Sequence, residues 1–167
     1  MSTDNNQDAV AQTQKQKKSD LKGSAKARAS AARLAAVQSI YAIDVGELSA
    51  EHVIDDVLVR RKGQMLEDEE MVSPDSVLYQ KIVNGIQEQR ENLIEIAAPY
   101  CPRLARGEME PLLSSIIFSG CYELLMHQEI DAPIIINEYI NITHAFYAGN
   151  EAKMINGVLD SVSKSLR

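Results

Sequence analysis

Residues 133–162 read PIIINEYINITHAFYAGNEAKMINGVLDSV, and this stretch decides the fold class. Pro133 suits the first turn of a helix, where its missing N–H is not needed. Ile136, Ile140 and Tyr147 then recur on one helical face. Gly149 ends that run, and Asn150 caps a last helix with Met154, Val158 and Val162 turned inward. The stretch therefore predicts two helices joined by a tight corner.

The same periodicity extends towards the N-terminus. Pro111 opens a helix carrying Leu112, Leu113, Ile116, Ile117, Gly120 and Leu124. Pro99 and Pro102 close the helix before it, and Tyr100 to Gly107 reads as a bend or a short helix. That preceding helix should be the longest. It starts at Ser73-Pro74-Asp75, with Ser73 as N-cap, and carries Leu78, Ile82, Ile86, Leu93, Ile96 and Ala97. Ser49 caps an earlier helix with Val53, Val57 and Leu58 on one face, ending near Lys62-Gly63. The acidic run Glu67 to Glu70 reads as solvated loop. The first helix runs from Ser24 or Ala25 to about Val45, with Leu34, Val37, Ile40 and Tyr41 at helical spacing and Gly46 as its stop.

The expectation is an all-α protein of six or seven helices in two packed antiparallel bundles. Residues 1–24 form a disordered basic tail. Residues 25–167 form one helical domain, with an N-terminal bundle to about residue 100 and a C-terminal bundle after it. The 167 residues are 45% hydrophobic and 25% charged, with 5% aromatics and no Trp, which suits a soluble globule with few strands. No run of about 18 apolar residues predicts a membrane span, and the polar N-terminus is no secretory signal. Two cysteines without a CxxC indicate neither a zinc site nor a disulfide framework, and a reducing cytoplasm is the simplest setting.

The net charge of −7 is uneven. Residues 1–35 hold seven Lys/Arg against three Asp, a net of +4 that leaves −11 for the rest. A basic arm suits nucleic acid, and an acidic body suits a basic protein partner. No metal or cofactor is expected. His52, His127 and His144 form no spaced metal pair, and no phosphate loop or nucleophile elbow is present, so the chain does not read as an enzyme.

Three features stand out as binding or polar sites. Lys26, Arg28 and Arg33 sit in or before the first turns of a helix, where positive charge opposes the dipole. Local stability does not explain them, whereas a polyanion does. The plainer reading is that Arg33 snorkels off the Val37/Ile40 ridge. Arg28 and Arg33 do not share a face, because five residues rotate a helix by about 140°. The corner Gly149-Asn150-Glu151-Ala152-Lys153 presents a helix N-terminus and a Lys, a plausible phosphate seat or an ordinary cap. Finally, Gly157 beside Asn156 implies a close helix approach beneath the helix carrying Gly120, with Asn137, Glu138 and Asn156 as a hydrogen-bonded set between the last two helices.

Ala32-Arg33-x-x-Ala36-Val37-Gln38-x-Ile40-Tyr41, Tyr122-Glu123-Leu124, Ile136-Asn137-Glu138 and Ile155 to Asp160, in this order, resemble the NusB family of bacterial transcription antitermination factors. The resemblance covers about residues 28–167 and implies an all-helical, RNA-binding transcription antitermination and elongation factor. It implies binding to single-stranded boxA RNA of ribosomal RNA leader transcripts, together with ribosomal protein NusE, on the RNA polymerase elongation complex. The RNA contacts it implies are Lys26, Arg28, Arg33, Gln38 and Tyr41 from the first helix, and Asn150, Lys153 and Met154 from the last. Two departures are visible. Ala29, Ser30, Ala31 and Ala32 stand where many members carry consecutive arginines, which would weaken RNA binding or shift it onto Lys15, Lys17, Lys18 and Lys22. Phe118 stands where an Arg is common and reads as a packing change. NusB-like domains also occur fused to RNA cytosine methyltransferases; no cofactor-binding domain is present in this sequence. The alternative function is a protein-only helical adaptor without RNA contact. Some relatives self-associate and others do not, so a homodimer stays open.

Overall fold

The computed structural model describes residues 23–67 and 72–167, all α-helix and connections, with no strand among them. The tail up to Lys22 and the acidic residues 68–70 lie outside the described residues. Among the described residues eight helices follow in order: α1 Ala25–Gly46, α2 Ala50–Glu67, α3 Ser76–Glu88, α4 Arg90–Ala97, α5 Pro102–Ala105, α6 Pro111–Met126, α7 Ala132–Phe146 and α8 Glu151–Leu166. The count exceeds six or seven because one expected helix is two, and because the short α5 is a true helical turn.

The helix ends show which local signals won. Ser24 caps α1 by accepting the Ala27 N–H at 3.1 Å. Gly46 remains helical; the left-handed residue that closes α1 is Glu47, at φ 52°, and the Leu48 N–H reaches back to the Ile43 carbonyl at 3.3 Å. Ser49 caps α2 through the His52 N–H at 3.2 Å. That helix runs past Gly63 to Glu67, since an interior Gly costs a helix only about 1 kcal/mol. Asp75, not Ser73, caps the next helix, accepting the Val77 and Leu78 N–H groups at 3.0 Å each. The expected longest helix then kinks at Gln89, whose φ −112° and ψ 17° leave the helical region. Hydrogen bonds continue across the kink, from Gln89 to Gly85 and from Leu93 to Gln89. The bend lets Arg90 reach Asp44 of α1 and lie 4.5 Å over the Phe118 ring of α6. Phe118 itself is buried, in keeping with a packing role. Among the described residues the longest helix is therefore α1, with 22 residues.

The centre of the molecule is α6. Every residue from Ser115 to Leu124 is buried, and α1, α3, α4, α7 and α8 all pack on it. A helix apolar all round belongs in a core. One apolar cluster runs from Ala32 and Ile40 of α1, through Ile82 and Ile86 of α3, to Ile116 and Leu124, and on to Ile135, Ile155 and Val162. The two bundles thus share one core.

Small residues set the tightest approaches. A Cβ on Gly120 would meet Leu159 of α8 at 2.7 Å, and one on Gly85 would collide with the Tyr122 ring. So α6 and α8 do approach closely, but through Gly120. Gly157 faces solvent with nothing within 4 Å, contrary to the packing role expected of it. The reason is phase. Ile155, Val158, Leu159 and Val162 point inward, and residue 157 lies on the opposite side of the helix.

Candidate nucleic-acid interface

The interface begins with how α1 is held. Arg33 sits on the buried side of α1, near Val37 and Ile40, and is only 5% exposed. Its Nε donates to Glu123 Oε1 at 2.6 Å and its Nη2 to Oε2 at 3.0 Å, a bidentate pair with α6. Its Nη1 lies 3.6 Å from Glu138 Oε2 of α7. The Ser30 hydroxyl donates to the same Glu138 oxygen at 2.6 Å. The Tyr139 hydroxyl donates to Glu123 Oε1 at 2.7 Å, and His127 Nδ1 lies 3.1 Å from Oε2.

Burial would raise the Glu123 carboxyl, but the bonds from His127, Arg33 and Tyr139 outweigh it and hold it at about 2. Burial and the Glu123 charge push the Tyr139 hydroxyl well up. Three motif residues, Arg33, Glu123 and Glu138, therefore converge in one buried network joining α1, α6 and α7. The expected set of Asn137, Glu138 and Asn156 does not form. Asn137 and Asn156 are exposed, and Glu138 faces α1 instead of α8.

With Arg33 engaged inside, the remaining candidates fall into two groups on the surface. At the start of α1, Lys26 is exposed and Arg28 is half-buried. The first turn of α1 holds no acidic residue, so these charges are not offset there. The Arg28 carbonyl accepts the Asp75 N–H at 3.0 Å, and the side-chain Nε is buried and meets no acceptor among the described residues.

The second group lies roughly 20 Å further along α1 at about 1.5 Å per residue. Gln38 is exposed and Tyr41 is 38% exposed. Tyr41 lies beside the α7–α8 corner. There the Tyr147 hydroxyl donates to Glu110 and is pushed well up by burial and Glu110, with smaller effects from Glu151 and Tyr41. Glu110 is lowered despite its partial burial, because Tyr147 and the N–H groups of Leu112 and Leu113 bond to it.

Asn150 stands at the N-cap of α8, yet its side chain makes no capping hydrogen bond. Asn150 and Lys153 are exposed, and Met154 is half-buried against the core. Glu151 stands in the first turn of α8, so a carboxylate already shares the positive end of the dipole with Lys153. The structure thus sets Tyr41 near Tyr147 and the start of α8, which carries Asn150, Lys153 and Met154. Gln38 instead lines a hollow between α1 and α2 with His52 and Val53. Lys26 and Arg28 stand at the far end of α1, and Arg33 is taken into the core.

The buried network is the feature that spacing alone missed, and its signals were present. Glu123 interrupts an otherwise apolar helix, and Arg33 shares the Val37/Ile40 ridge.

The sequence and the fold have counterparts among known proteins. The sequence profile of the NusB family matches residues 30–164. The chain is 36% identical over 148 residues to the transcription antitermination protein NusB of Novosphingobium aromaticivorans, covering 86% of this chain and 97% of that protein. It is 30% identical over 138 residues to the protein of that name from Rhizobium rhizogenes, covering 82% and 86%. Among solved structures, T. maritima NusB superposes with a TM-score of 0.67 over 81% of this chain and 89% of that one, at 20% identity, a likeness of fold.

Proposed function

The chain belongs to the NusB family, and from that premise we propose that it is a transcription antitermination factor that binds single-stranded boxA RNA of ribosomal RNA leaders. It does so with ribosomal protein NusE on the RNA polymerase elongation complex in the cytoplasm, and it catalyses no reaction. The observation that carries the RNA reading is the proximity of the exposed Tyr41 of α1 to Tyr147, beside the start of α8 that bears the exposed Asn150 and Lys153. Tyr41 offers a ring on which a base can stack, and Lys26, Arg28 and Lys153 offer phosphate contacts. Arg33 serves this surface from beneath by fixing α1 against α6 and α7.

One observation favours the second reading, a protein-only adaptor: the arginine expected at position 33 is spent inside the fold. A gel shift with boxA-like and scrambled RNA, with and without NusE, separates the two. With about three phosphates neutralised, log affinity should fall with log salt at a slope of about −2 for single-stranded RNA. Lys153→Ala should weaken binding and flatten that slope by about 0.7. NusE should tighten RNA binding, and RNA should tighten NusE binding by the same factor. RNA binding that is absent both with and without NusE, while NusE still binds, would establish the adaptor instead.

A further inference from the structure

The helices α1 and α7 run side by side in the same direction, from the Ser30–Glu138 bond at one end to Tyr41 and Tyr147 at the other. Between them lies a hollow of about 290 Å³. Ala31 and Leu34 of α1 and Ile142 and Ala145 of α7 wall it, with the polar groups of Ser30, Glu138 and Asn141 on its lining. The size is at the lower end of ligand pockets, which span about 300–1,000 Å³.

Its place on α1 is specific. Taking Lys26 as the origin, Ser30 and Leu34 lie about 40° and 80° round the helix, Tyr41 about 60° and Gln38 about 120°. A strand lying along the candidate contacts from Lys26 to Tyr41 must therefore cross the hollow. The hollow is open because Ser30 and Ala31 are small; long side chains at these positions would lie across it.

The lining selects the ligand. No Lys or Arg lines it, and the one ionisable group is the Glu138 carboxylate, so a phosphate is unsuited. The aliphatic walls suit a flat ring. Glu138 Oε2 accepts from Ser30 and lies 3.6 Å from Arg33 Nη1. A carboxylate has about four acceptor sites, and with Asn141 on the same lining Glu138 can accept from an exocyclic amine as well.

We propose that the hollow takes one unpaired, amine-bearing nucleobase (cytosine, adenine or guanine) from an RNA strand crossing α1. Uracil, with carbonyls flanking its N3–H, fits the acceptor-lined end less well. The inference rests on the reading of α1 as an RNA-binding face.

The test uses the full chain and a boxA-like RNA twelve-mer carrying 2-aminopurine at each position in turn. One position should change fluorescence on binding while its neighbours change little, and uracil placed there should weaken binding. Ala145→Phe fills the hollow from an exposed position, and Asn141→Ala removes one polar group from an exposed position. Each should leave the thermal melt unchanged. Ala145→Phe should bind the RNA about tenfold more weakly, in the range of lost base stacking, and lose the positional signal. The salt slope should stay as in the parent, since no phosphate contact is removed. If both variants bind as the parent does, or all positions respond alike, while Lys153→Ala still weakens binding, the hollow is no base site and the RNA reading stands. If the parent binds no RNA, with or without NusE, that reading falls and this inference with it.

Discussion

A single buried arginine links three helices. Arg33→Ala would leave Glu123 charged, 0% exposed and short of its bidentate partner. Breaking a buried pair from one side costs about 3–5 kcal/mol, so urea unfolding should show a loss of that size. Arg33→Lys should recover only part of it, because an ammonium cannot replace the planar fork. Acid acts on the same group from the other side. The Glu123 carboxyl lies at about 2 in the folded protein against an ordinary 4.5. Its folded value is depressed, so its stabilisation is full above about pH 4.5 and is lost as pH falls towards 2. The span corresponds to roughly 3 kcal/mol. Glu123→Gln should flatten the acid limb of stability over that window, measured as denaturation midpoint against pH. Two glycines make a matched pair. Gly157→Ala should stabilise by about 1 kcal/mol, since its site is open. Gly120→Ala should destabilise by about 1–3 kcal/mol against Leu159. Thermal melts that move in the same direction for both would contradict this account.

The sequence foretold most elements, and the misses share a cause. Pro111 and Pro133 sit at the starts of α6 and α7 as expected, because proline is pre-set for a first turn and excluded from later ones. Ser73-Pro74-Asp75 offered two caps within three residues. Local chemistry does not rank them, and tertiary packing, which buries Ser73, did. Gln89 carries no breaker signal, so the kink between α3 and α4 could not be read; the anchoring of Arg90 by Asp44 and Phe118 accompanies it and is a long-range fact. The end of α1 misled for a related reason. Gly46 is the residue suited to a left-handed stop, yet Glu47 takes the left-handed turn. A side chain there is strained, so Glu47→Gly should stabilise by about 1 kcal/mol, as a shift in the urea midpoint with unchanged slope.

At the scale of the whole molecule, the all-α class was legible because apolar periodicity and short connections leave few other packings. The candidate site was legible in part. Polarity and charge mark Tyr41, Lys153 and Arg33 alike for the surface; Tyr41 and Lys153 are exposed, whereas Arg33 is buried. Charge alone does not say which way a side chain points. Its neighbours on the ridge, Val37 and Ile40, did carry that information.

The central position of α6 has a consequence for how the protein opens. Five helices rest on α6, and Arg33 ties α1 and α7 to it as well, while α2 packs chiefly on α1 and α3. Amide protons of α1, α6 and α7 should therefore exchange with deuterium together, and only through opening of the entire molecule. Those of α2 should exchange earlier, through a smaller local opening. In native-state exchange, Arg33→Ala should then lower protection in α1, α6 and α7 by a common amount and leave the already labile α2 almost unchanged. An α1 that exchanges independently of α6 would show that the buried arginine joins the helices in space without joining them in cooperativity.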